Sequence, residues 1–198
     1  MAQRFVGNFE YDLPLGGWSQ LSSVPSRLTQ GWMILGIFTA QTGLPFTVVS
    51  PYGSLQYGFD FFNGFGARPF LLEKATLAPN VGGSPQFFSD QVINNQSLFF
   101  GLPTTTSPVN GQTVLTSPGN LGRNTFTGPN WWNLDFSLVK DTKLTETAKL
   151  QFRAEFFNIF NHPTFATPGA TLGAGNFGVS TSTQTSERQI QFGLRFVF

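Results

Sequence analysis

Charged side chains that could carry acid–base chemistry recur within segments whose residues alternate between apolar and polar. Paired carboxylates are the groups that general acid–base catalysis uses, and a nearby arginine can bind an anion. All of these charges fall on the polar side of their segment, which indicates a hydrated charge network along one face of a sheet. The residues concerned are Glu10, Asp12, Asp135, Arg153, Glu155 and Arg195.

Two further motifs carry less chemistry than their residue types suggest. Gly173, Gly175 and Gly178 match the spacing of a dinucleotide-binding loop, but residues 179–186 (VSTSTQTS) are poor helix formers, and that loop needs a following helix. His162 is the single histidine and has no partners at metal-ligand spacing. The sequence therefore predicts no catalytic, cofactor or metal site, and a protein that is not an enzyme.

The last eleven residues, 188–198 (RQIQFGLRFVF), alternate without interruption. One face carries bulky apolar groups and the other carries polar ones, as in a barrel strand with lipid outside and water inside. A strand that crosses a bilayer needs about 9–11 residues, which this segment supplies. The apolar face consists of Ile190, Phe192, Leu194, Phe196 and Phe198.

Four earlier segments show the same alternation, at residues 3–13, 31–42, 131–140 and 150–160. Their connections alternate between short and long, which up-and-down topology predicts because short turns gather at one rim. The short connections are 14–30 and 141–147, and the long ones are 43–130 and 161–187. The predicted fold is all-β: an antiparallel, up-and-down transmembrane β-barrel segment of about five long strands, incomplete as a barrel, with long loops on one rim.

Residues 50–130 lack periodicity and predict one long outer loop. Gly, Pro, Asn, Ser and Thr dominate there, with aromatic clusters at 59–65, 86–88 and 98–100. Short strands, or a helical turn near 89–94, are expected inside this loop. In a barrel the six charges named above are predicted to face the lumen.

The composition agrees with a sheet that has one face in hydrocarbon and one in water. Of the 198 residues, 11% are charged and 24 are Phe, with no cysteine; soluble domains carry about 25% charged residues. No apolar run reaches the roughly 18 residues of a transmembrane helix, and the N-terminal residues do not resemble a signal peptide. A net charge of +1 without a basic run predicts no nucleic-acid partner.

Several stretches resemble the end of the barrel of TonB-dependent outer-membrane receptors, in particular the Oar-like group. The most similar are NLGRNTFTGPNWWNLDFSLVKDTKL, LQFRAEFFNIFNHPTF and RQIQFGLRFVF, with GWMILGIFTAQTGLPFTVVS and RFVGNFEYDLPLG before them. The resemblance implies residence in the cell outer membrane and energised uptake of a large or scarce ligand. It also implies that residues 1–198 are the C-terminal part of a 22-stranded barrel whose plug domain, absent here, contacts the TonB complex.

The resemblance implies partners as well. The alternating C-terminal segment that ends at Phe198 is similar to the signal that the barrel-assembly machinery recognises in its substrates. The other partner is outer-membrane lipid. Two alternatives remain open: a small self-contained outer-membrane barrel, porin- or adhesin-like, which three more strands within 50–130 would favour, and a soluble β-rich module with an aromatic carbohydrate platform.

Two geometric expectations follow from the strand pattern. The connections 14–30 and 141–147 should lie at the same rim as Phe198, because neighbouring strands alternate in direction. A turn centred near Leu144 sets Phe136 opposite Phe152 and Asp135 opposite Arg153.

Overall fold

A computed structural model describes residues 3–21, 23–54, 68–106, 111, 113–116 and 119–198. The chain divides into two compact units. The sheet unit comprises Arg4–Gln41, Trp132–Pro163 and Ser186–Phe198, and the loop unit comprises Met1–Gln3, Thr42–Trp131 and Thr164–Thr185. The predicted aromatic cluster at 59–65 lies outside the described residues.

The regular secondary structure of the described residues is mostly strand, with a few short helices. In chain order the strands are β1 (Arg4–Leu13), β2 (Trp32–Gln41), β3 (Pro45–Phe46), β4 (Gly53–Ser54), β5 (Phe70–Leu71), β6 (Phe100–Gly101), β7 (Thr104–Thr106), β8 (Thr113–Leu115), β9 (Phe126–Thr127), β10 (Trp131–Lys143), β11 (Lys149–Phe157) and β12 (Gln189–Val197). The α-helices are α1 (Ser26–Thr29), α2 (Asp90–Asn94) and α3 (Gln96–Phe99), and 3-10 turns cover Leu15–Gly17 and Ser19–Leu21.

The five long strands form one sheet in the order β1-β2-β10-β11-β12. The pairs β1–β2, β10–β11 and β11–β12 are antiparallel. Between β2 and β10, Asp141 N donates to Gly31 O at 2.8 Å, so β2 begins where β10 ends. Within the described residues β1 and β12 are the edges of this open sheet, which confirms the predicted all-β, incomplete barrel with five long strands.

The rims of the sheet follow the predicted topology. Lys149, which follows the β10–β11 turn, lies opposite Val197, and Leu13 lies opposite Trp32 at the ends of the first connection. Since Gly31 also neighbours Asp141, the connection 14–30, the turn after Lys143 and the C-terminus share one rim. The expectation of a common short-turn rim is confirmed.

The predicted register of the β10–β11 hairpin is wrong. Phe136 lies opposite Phe156, not Phe152, and Arg153 lies opposite Val139, not Asp135. The reason is that β10 continues to Lys143, beyond the expected end at 140. Lys143 lies opposite Lys149, so the turn is centred midway between these two residues and not near Leu144. Ala148 O closes this turn by accepting from Leu144 N at 2.9 Å and from Thr145 N at 3.1 Å.

The strand β11 also ends earlier than expected, at Phe157 and not at 160. Asn158 adopts a positive φ of 50°, a left-handed conformation that asparagine tolerates better than most residues and that cannot continue a strand. The chain therefore leaves the sheet at Asn158 although the apolar residues continue through Ile159 and Phe160.

The loop unit has a hydrophobic core of its own, built largely from phenylalanine. Phe88 stacks on Phe177 with ring centroids 5.4 Å apart and meets Phe87 edge-on at 5.0 Å. The chain pairs Val49 with Thr171 and Gln86 with Val179, which joins the two long connections. The core residues are Phe46, Val48, Ala75, Phe87, Phe88, Val92, Phe99, Phe100, Leu121, Leu172 and Phe177.

The secondary structure inside the loop unit is short. The helical turn expected near 89–94 is present as α2, whose N-cap Ser89 accepts a hydrogen bond from Val92 N at 3.4 Å. The strands β4 to β9 have two or three residues each. None of them approaches the roughly 9–11 residues of a membrane-crossing strand.

Candidate functional site

The polar face of the sheet carries all six of the charges predicted from the sequence. On neighbouring strands, Glu10 lies directly opposite Leu35, Arg153 opposite Val139, and Arg195 opposite Gln151, so each pair shares a face. The rings of Phe38 and Trp132, 6.3 Å apart, show which faces of β2 and β10 correspond. One face therefore holds Glu10, Asp12, Asp135, Arg153, Glu155 and Arg195, together with Asp141, which the sequence reading did not single out.

Side chains from three strands form a hydrogen-bonded chain across this polar face. Gln151 Nε2 donates to Asp141 Oδ1 at 2.9 Å, and Arg153 Nη2 donates to Gln151 Oε1 at 3.4 Å. Arg153 Nη1 lies 3.5 Å from Glu155 Oε1, and the amide of Gln191 donates to Glu155 Oε2. Amides mixed with charges of both signs are typical of a hydrated surface. A proton-transfer site instead needs titratable groups whose environments shift their pKa values apart.

Asp135 has a different role from the one expected for it. Its Oδ1 accepts from Asn158 N at 2.9 Å and from Asn133 Nδ2 at 2.8 Å. The carboxylate thus holds the residue at which the chain leaves β11. The predicted cross-strand partner of Asp135, Arg153, pairs with Glu155 instead.

Asn158 is buried and organises the turn that follows β11. Its Oδ1 accepts from His162 N at 2.9 Å, and its Nδ2 donates to His162 O at 3.1 Å and Ser186 O at 3.2 Å. Sequence reasoning missed this residue. The available signal was the repeated asparagine in FNIFNH, because asparagine is enriched at positive φ, and Asn161 also has a φ of 50°.

The remaining sequence-predicted motifs lie in turns. The imidazole of His162 packs on Trp132, ring centroids 4.5 Å apart, and Trp132 also meets Phe160 at 5.7 Å. Gly173 and Gly178 have φ values of 76° and 71°, and residues 171–187 contain no helix. Within the described residues, no group of three or more His, Cys, Asp or Glu side chains could hold a metal ion.

The opposite face of the sheet is apolar across all five strands; it is mostly exposed on the edge strands β1 and β12, and half-buried or buried on β2, β10 and β11. Phe192 is 70% exposed and Leu194 is 71% exposed. A patch of this extent on a sheet is a surface for lipid or for another protein. The face comprises Phe5, Gly7, Phe9, Tyr11 and Leu13 of β1; Trp32, Ile34, Gly36, Phe38 and Ala40 of β2; Trp132, Leu134, Phe136, Leu138 and Lys140 of β10; Leu150, Phe152, Ala154 and Phe156 of β11; and Ile190, Phe192, Leu194 and Phe196 of β12.

Close packing on the apolar face explains one of its glycines. The Phe9 ring covers the backbone of Gly36, its directly opposed residue on β2, and a Cβ at Gly36 would collide with that ring. The Phe9 ring therefore occupies the space that a side chain at position 36 would need.

The terminal strand β12 lies at one edge of the sheet and carries four of the five residues predicted as a barrel-assembly signal. Ile190, Phe192, Leu194 and Phe196 share the apolar face, and Phe198 is 93% exposed beyond the end of the strand. On the side away from β11, β12 has no paired strand among the described residues. Unpaired N–H and C=O groups on a long strand are a template for addition of another strand.

The loop unit contains an open apolar hollow of about 530 Å³. Its lining combines exposed leucines with the buried ring of Phe87. The lining residues are Leu71, Leu72, Glu73, Lys74, Ala75, Leu77, Phe87, Thr125, Phe126 and Thr127.

The family of the chain follows from its sequence as a whole. In the part of the chain that the structure describes, the helices are too short or too polar to span a bilayer. Residues 1–191 match the family model described as an outer membrane beta barrel domain. The chain belongs to this outer-membrane β-barrel family. No curated protein and no solved structure matches it.

Membership of the outer-membrane β-barrel family locates the protein in the outer membrane, as predicted from the sequence. Barrels of this kind turn an apolar band outward and keep a polar interior. We propose that the apolar face of the sheet contacts lipid and that the polar face, with its six predicted charges, faces the lumen.

One cation of this outer-membrane barrel sheet does not fit the division into faces. Lys140 lies on the apolar face, between Trp32 on β2 and Phe152 on β11. It is 8% exposed, and sequence reasoning passed over it. The alternation could have identified it, because Lys140 continues the apolar-face series of Trp132, Leu134, Phe136 and Leu138.

Proposed function

We propose that this outer-membrane barrel chain forms part of a TonB-dependent receptor of the Oar-like group and takes part in energised uptake of a large or scarce ligand. Its role in that case is transport and not catalysis. The observation that carries the proposal is that the three stretches most similar to the end of such receptors, 120–144, 150–165 and 188–198, contribute three adjacent strands of one sheet.

The loop unit supports a receptor role. Two long connections leave the rim opposite the short turns, and their described residues pack around a common aromatic core. A connection with its own core holds a fixed surface, which ligand recognition requires. The open hollow beside Phe87 is one surface on which an apolar part of a ligand can bind.

The terminal strand supports the proposed partnership with the barrel-assembly machinery. An exposed edge with four large apolar side chains on one face allows recognition by strand addition, with main-chain hydrogen bonds giving affinity and alternate side chains giving specificity. The proposal predicts that Phe198→Ser, made in the receptor of which this chain is proposed to form part, lowers the amount of that receptor in isolated outer membranes. Gln189→Ser, on the polar face at the other end of β12, is the matched control.

Transport is tested in cells that express the receptor of which this chain is proposed to form part, with the inner-membrane TonB complex present or deleted. Accumulation of a panel of solutes too large for general porins is measured. The proposal expects accumulation that needs both the receptor and the complex, and that a protonophore abolishes. Size-limited accumulation without the complex supports the porin-like alternative, and cell attachment without any uptake supports the adhesin-like one.

A further inference from the structure

The connection between β1 and β2, residues 14–30, exposes apolar side chains at the short-turn rim. Leu28 is 62% exposed, Trp18 is 51% exposed and Val24 is 37% exposed. Single exposed apolar residues on a protein surface need no explanation. Here three large ones occur in one short connection, at the rim where a membrane barrel meets the surface of the bilayer.

Leu28 adjoins the apolar face of the sheet. The indole N–H of Trp32, a residue of that face, donates to Leu28 O at 2.7 Å. Trp32 lies opposite Leu13, the last residue of β1. The exposed Leu28 therefore follows directly on the apolar face, beyond the ends of β1 and β2, and the lipid proposed to contact that face is available to Leu28 as well.

The connection carries one charge, and that charge is positive. Arg27 is exposed, and among the described residues it has no ion-pair partner within 4.0 Å. Residues 14–30 contain no Asp or Glu, whereas the other short turn at this rim holds Glu146. Exposed apolar groups beside a free cation are the combination by which a segment binds at the surface of an anionic bilayer.

We infer that the connection 14–30 docks on the phospholipid surface of the leaflet at the short-turn rim, with Leu28 and Trp18 between headgroups and acyl chains and Arg27 among the phosphates. Short turns are periplasmic in outer-membrane barrels, so this is the periplasmic leaflet. Tryptophan is enriched at that depth. The docking requires the lipid contact proposed for the apolar face, and it adds a contact with the membrane surface that holds this rim at a fixed depth.

The depth of the connection is measured with nitroxide labels on single cysteines, since the chain has no cysteine of its own. The full chain is reconstituted in phosphatidylglycerol vesicles. Paramagnetic resonance then compares collisions of the label with oxygen, which concentrates among acyl chains, and with a nickel chelate, which stays in water. The label on Leu28→Cys should favour oxygen. Leu98→Cys is the matched control, because Leu98 of the loop unit is 57% exposed and its label should favour the chelate.

A third label, on Phe192→Cys, separates the docking from the lipid contact of the apolar face. Oxygen access at 192 together with chelate access at 28 equal to that at 98 would overturn the docking alone. Chelate access at both 28 and 192 would overturn the docking together with the assignment of the faces. Neither result depends on whether the barrel transports a ligand.

Arg27→Gln tests the charge. In phosphatidylglycerol vesicles it should raise chelate access to the label at 28 about fivefold, the factor that corresponds to about 1 kcal/mol per basic residue. In phosphatidylcholine vesicles it should have no effect. Lys149→Gln is the control, because Lys149 lies at the same rim but on the polar face, opposite Val197. Circular dichroism establishes that each variant keeps its sheet content. Equal effects of the two substitutions, or no effect of Arg27→Gln in either lipid, would overturn the inference.

Discussion

The sheet unit and the loop unit use the same residue type in opposite ways. In the loop unit Phe88 is 0% exposed and Phe177 is 1% exposed, with aromatic rings as neighbours. In the sheet unit Phe192 is 70% exposed, on a face that an outer-membrane barrel turns to lipid. The content of 24 phenylalanines therefore does not describe one hydrophobic core. It describes one core that excludes water by packing and one exposed apolar surface, which we propose contacts lipid.

The largest difference between the two units should come from truncating one phenylalanine in each. Phe88→Ala removes a fully buried ring and leaves a cavity, which destabilises a core by about 3–5 kcal/mol. Phe192→Ala in a lipid environment leaves no cavity and should cost much less. Hydrogen exchange read by mass spectrometry, in lipid vesicles, should show faster exchange throughout the loop unit only for Phe88→Ala. Equal acceleration in both variants would contradict the contrast.

A charge on the lipid face should break the sheet unit where truncation does not. Phe192→Arg places a cation near the middle of β12 and should cost about 2–4 kcal/mol at the bilayer midplane. The neighbouring substitution Gln191→Arg is the control, because its side chain lies on the polar face opposite Glu155. Urea titration of the chain in vesicles, followed by circular dichroism, measures both. A similar loss for the two variants would mean that the assignment of the faces is wrong.

Substitutions of Asn158 measure how much the hydrogen bonds of one side chain contribute to the stability of a sheet that has little buried core. Asn158→Ala leaves His162 N and Ser186 O without their partner, which should cost about 1–3 kcal/mol. Asn158→Gly loses the same bonds but relieves the positive φ, so it should be the milder change. Amide exchange at the ends of β11 and β12 reports on this turn. If glycine proves as harmful as alanine, backbone conformation contributes little there.

The smallest expected effect is on the polar face. Arg153 and Glu155 are partly exposed to solvent and 3.5 Å apart, and such pairs are worth about 0.2–1 kcal/mol. A double-mutant cycle of Arg153→Gln and Glu155→Gln, measured by urea titration at low and high salt, should give a coupling in this range that falls as salt rises. A coupling of several kcal/mol, independent of salt, would indicate a dry interior and not a hydrated lumen wall.

The alternation of residue types predicted the strands well but their partners poorly. A period of two places Arg153 and Glu155 on the polar face whatever the pairing, because a shift by an even number of residues preserves the faces. For the same reason, the alternation of residue types cannot distinguish between pairings that differ by an even number of residues. The pairing of Phe136 with Phe156 was decided by the turn at 144–148 and by the hydrogen bonds that Asn158 makes beyond the strand.

By itself the sequence determined the class of the protein: five long amphipathic strands, alternating short and long connections, and two faces of opposite character. The strands and their two faces are local properties, since each depends on neighbours one or two positions away, and the connections are the intervals between these strands. The tertiary structure alone decided the register of the hairpin, the aromatic core that joins residues 42–131 with 164–185, and the contact of Lys140 with Gln30 and Trp32. The core and the Lys140 contacts join residues far apart in the chain, and the register depends on the geometry of the turn at 144–148; alternation along one strand encodes neither.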